Sequence, residues 1–190
     1  MPFSNSIELF WQSLGKTKDR CGALHGRLED LLFRAQRIAL AEKRERKNPD
    51  HFFHEDLIIF RNDVRESRQE IGELAAEAAA VASSLLQNHG NRKRLEIVSI
   101  LARQIHASLA SLSEYASLAY QRMPERADRI QSWYCLGDIN EMIKSAQKME
   151  DSLCAARSGA PLDAAQRHSV FSESRPLPPI PPDSPYKRRL

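Results

Sequence analysis

Glycine is scarce in this sequence, and proline is scarce outside its C-terminal end. Only 7 of the 190 residues are glycine, and six of the 10 prolines fall between Pro176 and Pro185. Sandwiches and barrels need frequent turns, and turns are built largely from these two residue types. The chain up to Leu153 therefore favours long helices that are joined by few turns.

Cysteine pairs, excess charge and long apolar runs are also missing. Three cysteines without CxxC spacing exclude a disulfide framework and a zinc ribbon. A formal charge of +3 is too small to indicate a nucleic-acid partner. No segment approaches the ~18 apolar residues of a membrane span, and residues 1–6 lack the features of a signal peptide. We therefore expect a soluble, cytoplasmic protein that does not bind nucleic acid.

Apolar residues recur at heptad spacing along three long segments. The first opens at Asn5, with Glu8 in capping-box spacing, and the second at Asn48, with Pro49 at its first helical position. The third runs up to Pro124. The seam positions are Ile7, Phe10, Leu14, Cys21, Leu24, Leu28, Leu31, Ala35 and Ile38, then Phe53, Leu57, Phe60, Val64, Ile71, Leu74, Ala78, Val81 and Leu85, then Leu95, Val98, Ala102, Ile105, Leu109, Leu112, Ala116, Ala119 and Met123.

The fourth segment is less regular. Leu136 and Gly137 interrupt it, and Asp138 with Glu141 has the spacing of a new capping box. We expect either a kinked helix or two short helices here. In the first segment, the spacing of Gly15, Gly22 and Gly26 indicates either close helix approach or a kink.

Four helical segments with short connections, each apolar on one stripe, predict an all-α fold. The expected architecture is an elongated antiparallel four-helix bundle, coiled-coil-like in its packing, over residues 1–157. The same heptads are compatible with a long antiparallel coiled coil, or with a crescent dimer that bends membranes. A homo-oligomer formed through the helical seams also remains open. Residues 158–190 are expected to form a disordered linker and a proline-rich, basic tail.

The tail carries the strongest functional signal. Its sequence resembles the basic-first class of ligands for Src homology 3 domains, because a cation precedes two x-Pro units at a fixed spacing. A polyproline II helix has three residues per turn, so the two x-Pro units form ridges on one face. The alternative is a proline-rich spacer that binds nothing. The residues concerned are Arg175, Pro176, Leu177, Pro178, Pro179, Ile180, Pro181 and Pro182.

The last residues carry a second signal. Ser184-Pro185 followed by Lys187 resembles the phosphoacceptor consensus of cyclin-dependent kinases, and residues 187–190 resemble the Arg-x-Leu motif that docks on cyclins. Tyr186 is a candidate tyrosine-kinase site. A cell-cycle substrate is therefore an alternative, although the two motifs overlap and could hardly be used on one complex. A basic solubilising terminus is the simpler interpretation.

Basic clusters suggest a further alternative, a helical module bound to anionic lipid. In an up-down bundle the end of the first helix and the connection after the third lie at the same pole. A basic pole gains ~1 kcal/mol per cation close to an anionic membrane. Interspersed acids favour a solvated charged end instead. The candidate surface consists of Lys43, Arg44, Arg46, Lys47, Arg122, Arg126 and Arg129.

Catalytic and metal-binding patterns are weak. His51 and His54 are three residues apart, but a third ligand at a known spacing is missing. His106 and Ser108 are two apart on a helix and point in different directions. We expect no enzyme activity, no metal and no cofactor. The sequence predicts a non-catalytic adaptor whose bundle binds a partner or itself, and whose tail docks a Src homology 3 domain.

Overall fold

The chain folds into four long helices. The computed structural model describes residues 3–41, 52–85, 92–123 and 126–158. Side chains within these ranges are described for Gln12 and from Leu14 onward, except near several helix ends. The helices are α1 (Phe3–Leu40), α2 (Phe52–Leu85), α3 (Arg92–Arg122) and α4 (Arg126–Ser158).

The helix ends differ in part from those that the capping patterns predict, because Asn5 lies inside α1. The first helix begins two residues before the predicted cap, and its last turn is closed by Ala41 N–H donating to Arg37 O at 3.0 Å. At the end of α3, Met123 N–H donates to Tyr120 O at 3.3 Å, which tightens the last turn before Pro124. The predicted cap at Asn48 and Pro49 lies outside the described residues.

The fourth helix is continuous, so the alternative of two short helices is wrong. It passes through Gly137 without a break. The helix continues through Asp138, which therefore does not cap a new helix. Its Oδ1 instead accepts a hydrogen bond from Arg68 Nη1 of α2 at 2.7 Å. A glycine inside a helix costs only about 1 kcal/mol relative to alanine. Burial of Leu136 and Ile139 on either side outweighs that cost.

The four helices form an antiparallel bundle with a particular spatial order. Each helix packs against two others, in the ring α1–α2–α4–α3. Over the described ranges, α1 with α4 and α2 with α3 are the diagonal pairs, without close backbone approach. Helices consecutive in sequence run in opposite directions, as predicted. The neighbours α1 and α3 run parallel, and so do α2 and α4.

Interhelical contacts establish these directions. Along α1, Glu29 meets Ser108 and the carbonyl of Ala39 meets Arg122, so both residue numbers increase together. Between α2 and α4, Arg61 pairs with Asp128 and Arg68 with Asp138. The antiparallel pair α1–α2 is joined by Arg20 with Glu77 and Arg27 with Glu70.

The predicted seams form the core. The described seam residues are buried, and the largest side chains below 2 % exposure come from all four helices. Thr17 and Ser67 are polar residues that lie seven residues after Phe10 and Phe60, at seam positions, and both are fully buried as well. The all-α bundle predicted from the heptads is therefore confirmed. The largest fully buried side chains are Leu14, Leu24, Leu28, Leu31, Ile71, Leu74, Ile105, Leu109, Leu112, Ile139 and Met142.

The bundle has two poles with different contents. We call the basic pole the end where α1 and α3 finish and where α2 and α4 begin. We call the tail pole the opposite end, where α1 begins and α4 ends at Ser158. The two poles are separated by roughly 50 Å, because α4 has 33 residues at ~1.5 Å each.

Candidate functional site

The basic pole contains the predicted cation Arg122, and this side chain holds two helices together. Arg122 Nη1 donates to Ala39 O at 2.6 Å. That carbonyl belongs to the last turn of α1 and has no partner within the helix. A cation at this position also opposes the negative end of the helix dipole. Arg122 therefore caps α1 from α3.

A buried carboxylate lies at the same pole. Asp56 is only 6 % exposed in its side chain, and Arg34 Nη1 donates to its Oδ1 at 3.0 Å. Its Oδ2 lies 3.1 Å from Arg37 Nη2, without the alignment of a hydrogen bond. The guanidinium of Arg37 also covers the ring of Phe33, 5.8 Å from its centroid. Two arginines of α1 thus neutralise one acid of α2.

Of the other described cations of the pole, one forms an ion pair and one is exposed. Arg61 Nη2 donates to Asp128 Oδ1 at 2.8 Å, and both side chains are largely buried. Arg129 is exposed. Lys43, Arg44, Arg46 and Lys47 lie outside the described residues, as does the side chain of Arg126. Most described cations of this pole therefore serve the fold itself, which leaves little free positive charge for lipid on the described part of the pole.

The tail motifs lie outside the described residues. This holds for the residues predicted to bind a Src homology 3 domain and for the two modification candidates. They are Arg175, Pro176, Leu177, Pro178, Pro179, Ile180, Pro181 and Pro182, together with Ser184 and Tyr186.

A polar ladder joins α1 and α2, and sequence reasoning missed it. Arg20 reaches Glu77 Oε2 at 2.7 Å and Glu73 Oε2 at 3.2 Å, and Arg27 reaches Glu70 at 2.9 Å. The buried hydroxyl of Thr17 donates a hydrogen bond to Glu77 Oε1 at 2.8 Å. The signal was present, because these cations and acids recur at seven-residue spacing beside the seams.

His106 and Ser108 point to different neighbouring helices, as their two-residue spacing on one helix predicts. His106 Nδ1 lies 3.1 Å from Glu150 Oε2 of α4. Ser108 donates its hydroxyl to Glu29 Oε1 of α1 at 2.7 Å. The same carboxylate oxygen lies 3.7 Å from His25 Nε2. His106 therefore links α3 to α4, and Ser108 links α3 to α1.

The three thiols are held in the protonated form. Burial raises the pKa of Cys21 to about 11, with Glu77 adding to the effect. Burial likewise raises the pKa of Cys135 to about 11. Burial also raises the pKa of Cys154, which is only partly covered. Since the thiolate is the nucleophile, none of these positions favours cysteine chemistry.

We expect this burial to be visible in thiol labelling at pH 8. A pKa near 11 instead of 9 leaves roughly 100-fold less thiolate at Cys21 and Cys135, and both are also shielded from reagent. One thiol, Cys154, should react in the native protein, and all three should react in denaturant. The readout is mass spectrometry after timed alkylation. Rapid native labelling of Cys21 would contradict the buried seam.

Nowhere in residues 3–41, 52–85, 92–123 and 126–158 do three His, Cys, Asp or Glu side chains gather as a metal site. The candidate histidines His51 and His54 lie outside the described side chains. In the part of the chain that the structure describes, no helical stretch combines the length and apolar character needed to cross a bilayer.

A groove lies on the described surface between the parallel helices α1 and α3, near the tail pole. Its volume is about 400 Å³, and it is lined by Leu14, Gly15, Lys18, Asp19, Ile97 and Val98. Most of the large apolar side chains exposed on the described surface lie on these same two helices. They are Phe33 and Leu40 on α1 and Ile97 and Ile100 on α3, while α2 exposes Ile58.

Comparison with models of protein families, with curated proteins and with solved structures found no match.

Proposed function

We propose that this protein is a non-catalytic cytoplasmic adaptor. Its helical bundle is the structural body, and residues 175–182 recruit a protein with a Src homology 3 domain. The observation that carries this proposal is the run Arg-Pro-Leu-Pro-Pro-Ile-Pro-Pro, which begins 17 residues after Ser158, the last residue of α4.

The spacing of the run fits the geometry of a polyproline II ligand. With three residues per turn, Leu177 and Ile180 share one ridge, and Pro178 and Pro181 share the next. Each x-Pro unit, Leu177-Pro178 and Ile180-Pro181, then fills one aromatic-walled groove of the domain. Arg175 precedes them by the distance needed to reach an acidic pocket beyond the grooves.

The stiffness of this segment supports binding at low entropic cost. Prolines restrict the unbound chain to few conformations, so little freedom is lost on docking. Such ligands bind at roughly micromolar affinity, which corresponds to about 8 kcal/mol. A second point of attachment would raise the overall affinity without a new contact.

The described bundle supports the role of a structural body. Its long-range polar contacts, such as Arg20 with Glu77 and Arg61 with Asp128, join one helix to another. The last helix ends at Ser158 on the tail pole, so the segment that follows starts there. A partner recruited by the tail would be delivered to this end of the bundle.

The test compares prolines on different ridges of the same segment. Pro178→Ala with Pro181→Ala removes the two prolines that fill grooves, and we expect binding to weaken by roughly tenfold or more. The probe is a panel of isolated Src homology 3 domains with an Asp or Glu in the specificity pocket. Binding to the full chain is measured by calorimetry.

A matched control lies within the motif. The pair Pro176→Ala with Pro179→Ala also removes two prolines, but from the third ridge, which faces away from the domain. We expect a loss of no more than about threefold from this pair. Equal losses from both pairs, or no binding to any domain of the panel, would contradict the proposal.

A further inference from the structure

The outer face of α1 carries charges that form no ion pair with the described residues. Lys16, Lys18, Asp19 and Asp30 are all exposed, and none forms an ion pair with any residue that the structure describes. Cations on the side of α1 that faces α2, such as Arg20 and Arg27, are all paired. The outer face is therefore the part of α1 with charge left over for an external partner.

These charges are arranged in opposite order about the middle of the helix. Proceeding along α1, Lys16 and Lys18 precede Ala23, and Glu29 and Asp30 follow it. A second α1 running antiparallel, with a two-fold axis at Ala23, places residue 16 opposite residue 30 and residue 18 beside residue 29. Asp19 then lies opposite residue 27, which is the arginine of the α2 pair. Lys16, Lys18, Glu29 and Asp30 therefore each lie near a residue of opposite charge in the second copy.

The middle of this face allows close approach. Gly22, Ala23 and Gly26 are exposed there, and an added Cβ at either glycine would meet no atom within 4 Å. No other helix of the described bundle therefore lies against these two glycines. A second helix laid across them would come close to the backbone.

The same axis matches a projecting side chain with the groove. Phe33 is 60 % exposed and lies ten residues after Ala23, about 15 Å along the helix. Gly15, on the edge of the groove of about 400 Å³, lies about 12 Å on the other side. Helical side chains lean toward the N-terminus of their helix, and this brings the ring of Phe33 back toward the axis. The ring of one copy thus comes level with the groove of the other.

We infer that two copies of this chain associate through the outer faces of α1, antiparallel about a two-fold axis at Ala23. Two symmetric contacts join Lys16 and Lys18 of one copy to Asp30 and Glu29 of the other. Two more place the ring of Phe33 in the groove between α1 and α3. An isologous contact of this kind closes at the dimer, because each face is used up by its partner. It extends the proposed function, since a dimer presents two tails, but it is independent of tail binding.

The test is an exchange of charges between two variants of the full chain. Lys16→Glu makes residue 16 repel Asp30 of a like copy, and Asp30→Lys makes residue 30 repel Lys16. Each variant alone is expected to raise the dissociation constant of the dimer at least about tenfold. Mixed in equal amounts, the two are complementary at both symmetric contacts and should recover the affinity of the wild type to within about threefold. Sedimentation velocity gives these constants.

Two controls carry the same changes of charge elsewhere. Lys148→Glu on α4 and Glu66→Lys on α2 are exposed positions without an ion pair among the described residues. We expect both to associate like the wild type. Pro178→Ala with Pro181→Ala should also leave association unchanged, which separates this inference from the proposed function of the tail.

A bulky residue at the centre provides an independent test. Gly26→Leu has open space around its Cβ in the single chain, so helicity and melting should be kept or improved, while dimers should be lost. A wild type that stays monomeric at its highest soluble concentration would overturn the inference. So would variants at residues 16 and 30 that dimerise unchanged, or that stay monomeric when mixed.

Discussion

Replacing both arginines that neutralise Asp56 is expected to destabilise the bundle by about 3–5 kcal/mol. Arg34→Met with Arg37→Met keeps the aliphatic stems of the side chains and removes both charges. Asp56 is only 6 % exposed, so its carboxylate would remain buried without a counter-ion. Urea unfolding at pH 7 measures the loss, which corresponds to a melting point lower by roughly 6–20 °C.

Removing the two arginines is expected to cost more stability than removing the acid. Arg34 and Arg37 are about one third exposed, so water can solvate them when the acid is removed. Asp56→Asn alone should therefore cost about 1–2 kcal/mol. Adding Asp56→Asn to the double methionine variant should recover most of the stability. A triple variant as unstable as the double one would show that the loss comes from packing and not from the buried charge.

Five glycines inside helices offer the opposite change, a large gain in stability. At none of them would an added Cβ meet an atom within 4 Å, and no left-handed backbone conformation requires glycine there. Alanine favours a helix interior by about 0.5–1 kcal/mol relative to glycine, so five replacements should add about 2.5–5 kcal/mol. Urea unfolding measures the gain. The positions are Gly15, Gly22, Gly26, Gly72 and Gly137.

The same series separates stability from self-association. Gly72→Ala with Gly137→Ala changes positions away from α1, so it should stabilise the bundle and leave the dimer intact. Gly22→Ala with Gly26→Ala should stabilise each chain by a similar amount and weaken the dimer. Unfolding is compared at a concentration where the protein is monomeric. A loss of stability at Gly72 or Gly137 would contradict the open space around them.

The heptads predicted the helices well, because burial dominates each segment. Seam residues such as Leu24, Ile71 and Leu109 are fully buried, as their seven-residue spacing required. The predicted helix break at Asp138 was wrong, because a capping pattern carries only local information. The contact with Arg68, which lies 70 residues earlier in the chain, decides the role of that carboxylate.

The order of the helices around the bundle was harder to predict. Every helix has a similar apolar seam, so burial alone does not distinguish the ring α1–α2–α4–α3 from a ring in sequence order. The discriminating residues are the charged ones beside the seams. Arg20 and Arg27 match Glu77 and Glu70 in antiparallel register, whereas Arg61 and Arg68 match Asp128 and Asp138 in parallel register.

The candidate sites were predicted with uneven success. Arg122 was identified as basic, but its role as a cap for α1 depends on α3 ending beside Ala39, which requires the tertiary fold. Asp56 was not identified at all, because a single acid near the start of a helix is ordinary in a sequence. The tail residues stay a prediction, which depends on the spacing of prolines in the sequence alone.

The start of α1 and the end of α4 lie at one pole of the bundle, and this has a mechanical consequence. Phe3 and Ser158 lie at the same pole, so opposing forces on these two residues pull from one end of the bundle. Such a load separates the helices turn by turn, starting at that end, instead of sliding them past one another all at once. Unzipping breaks few contacts at a time, and the bundle should therefore yield at low tension when it is stretched between its first and last helical residues.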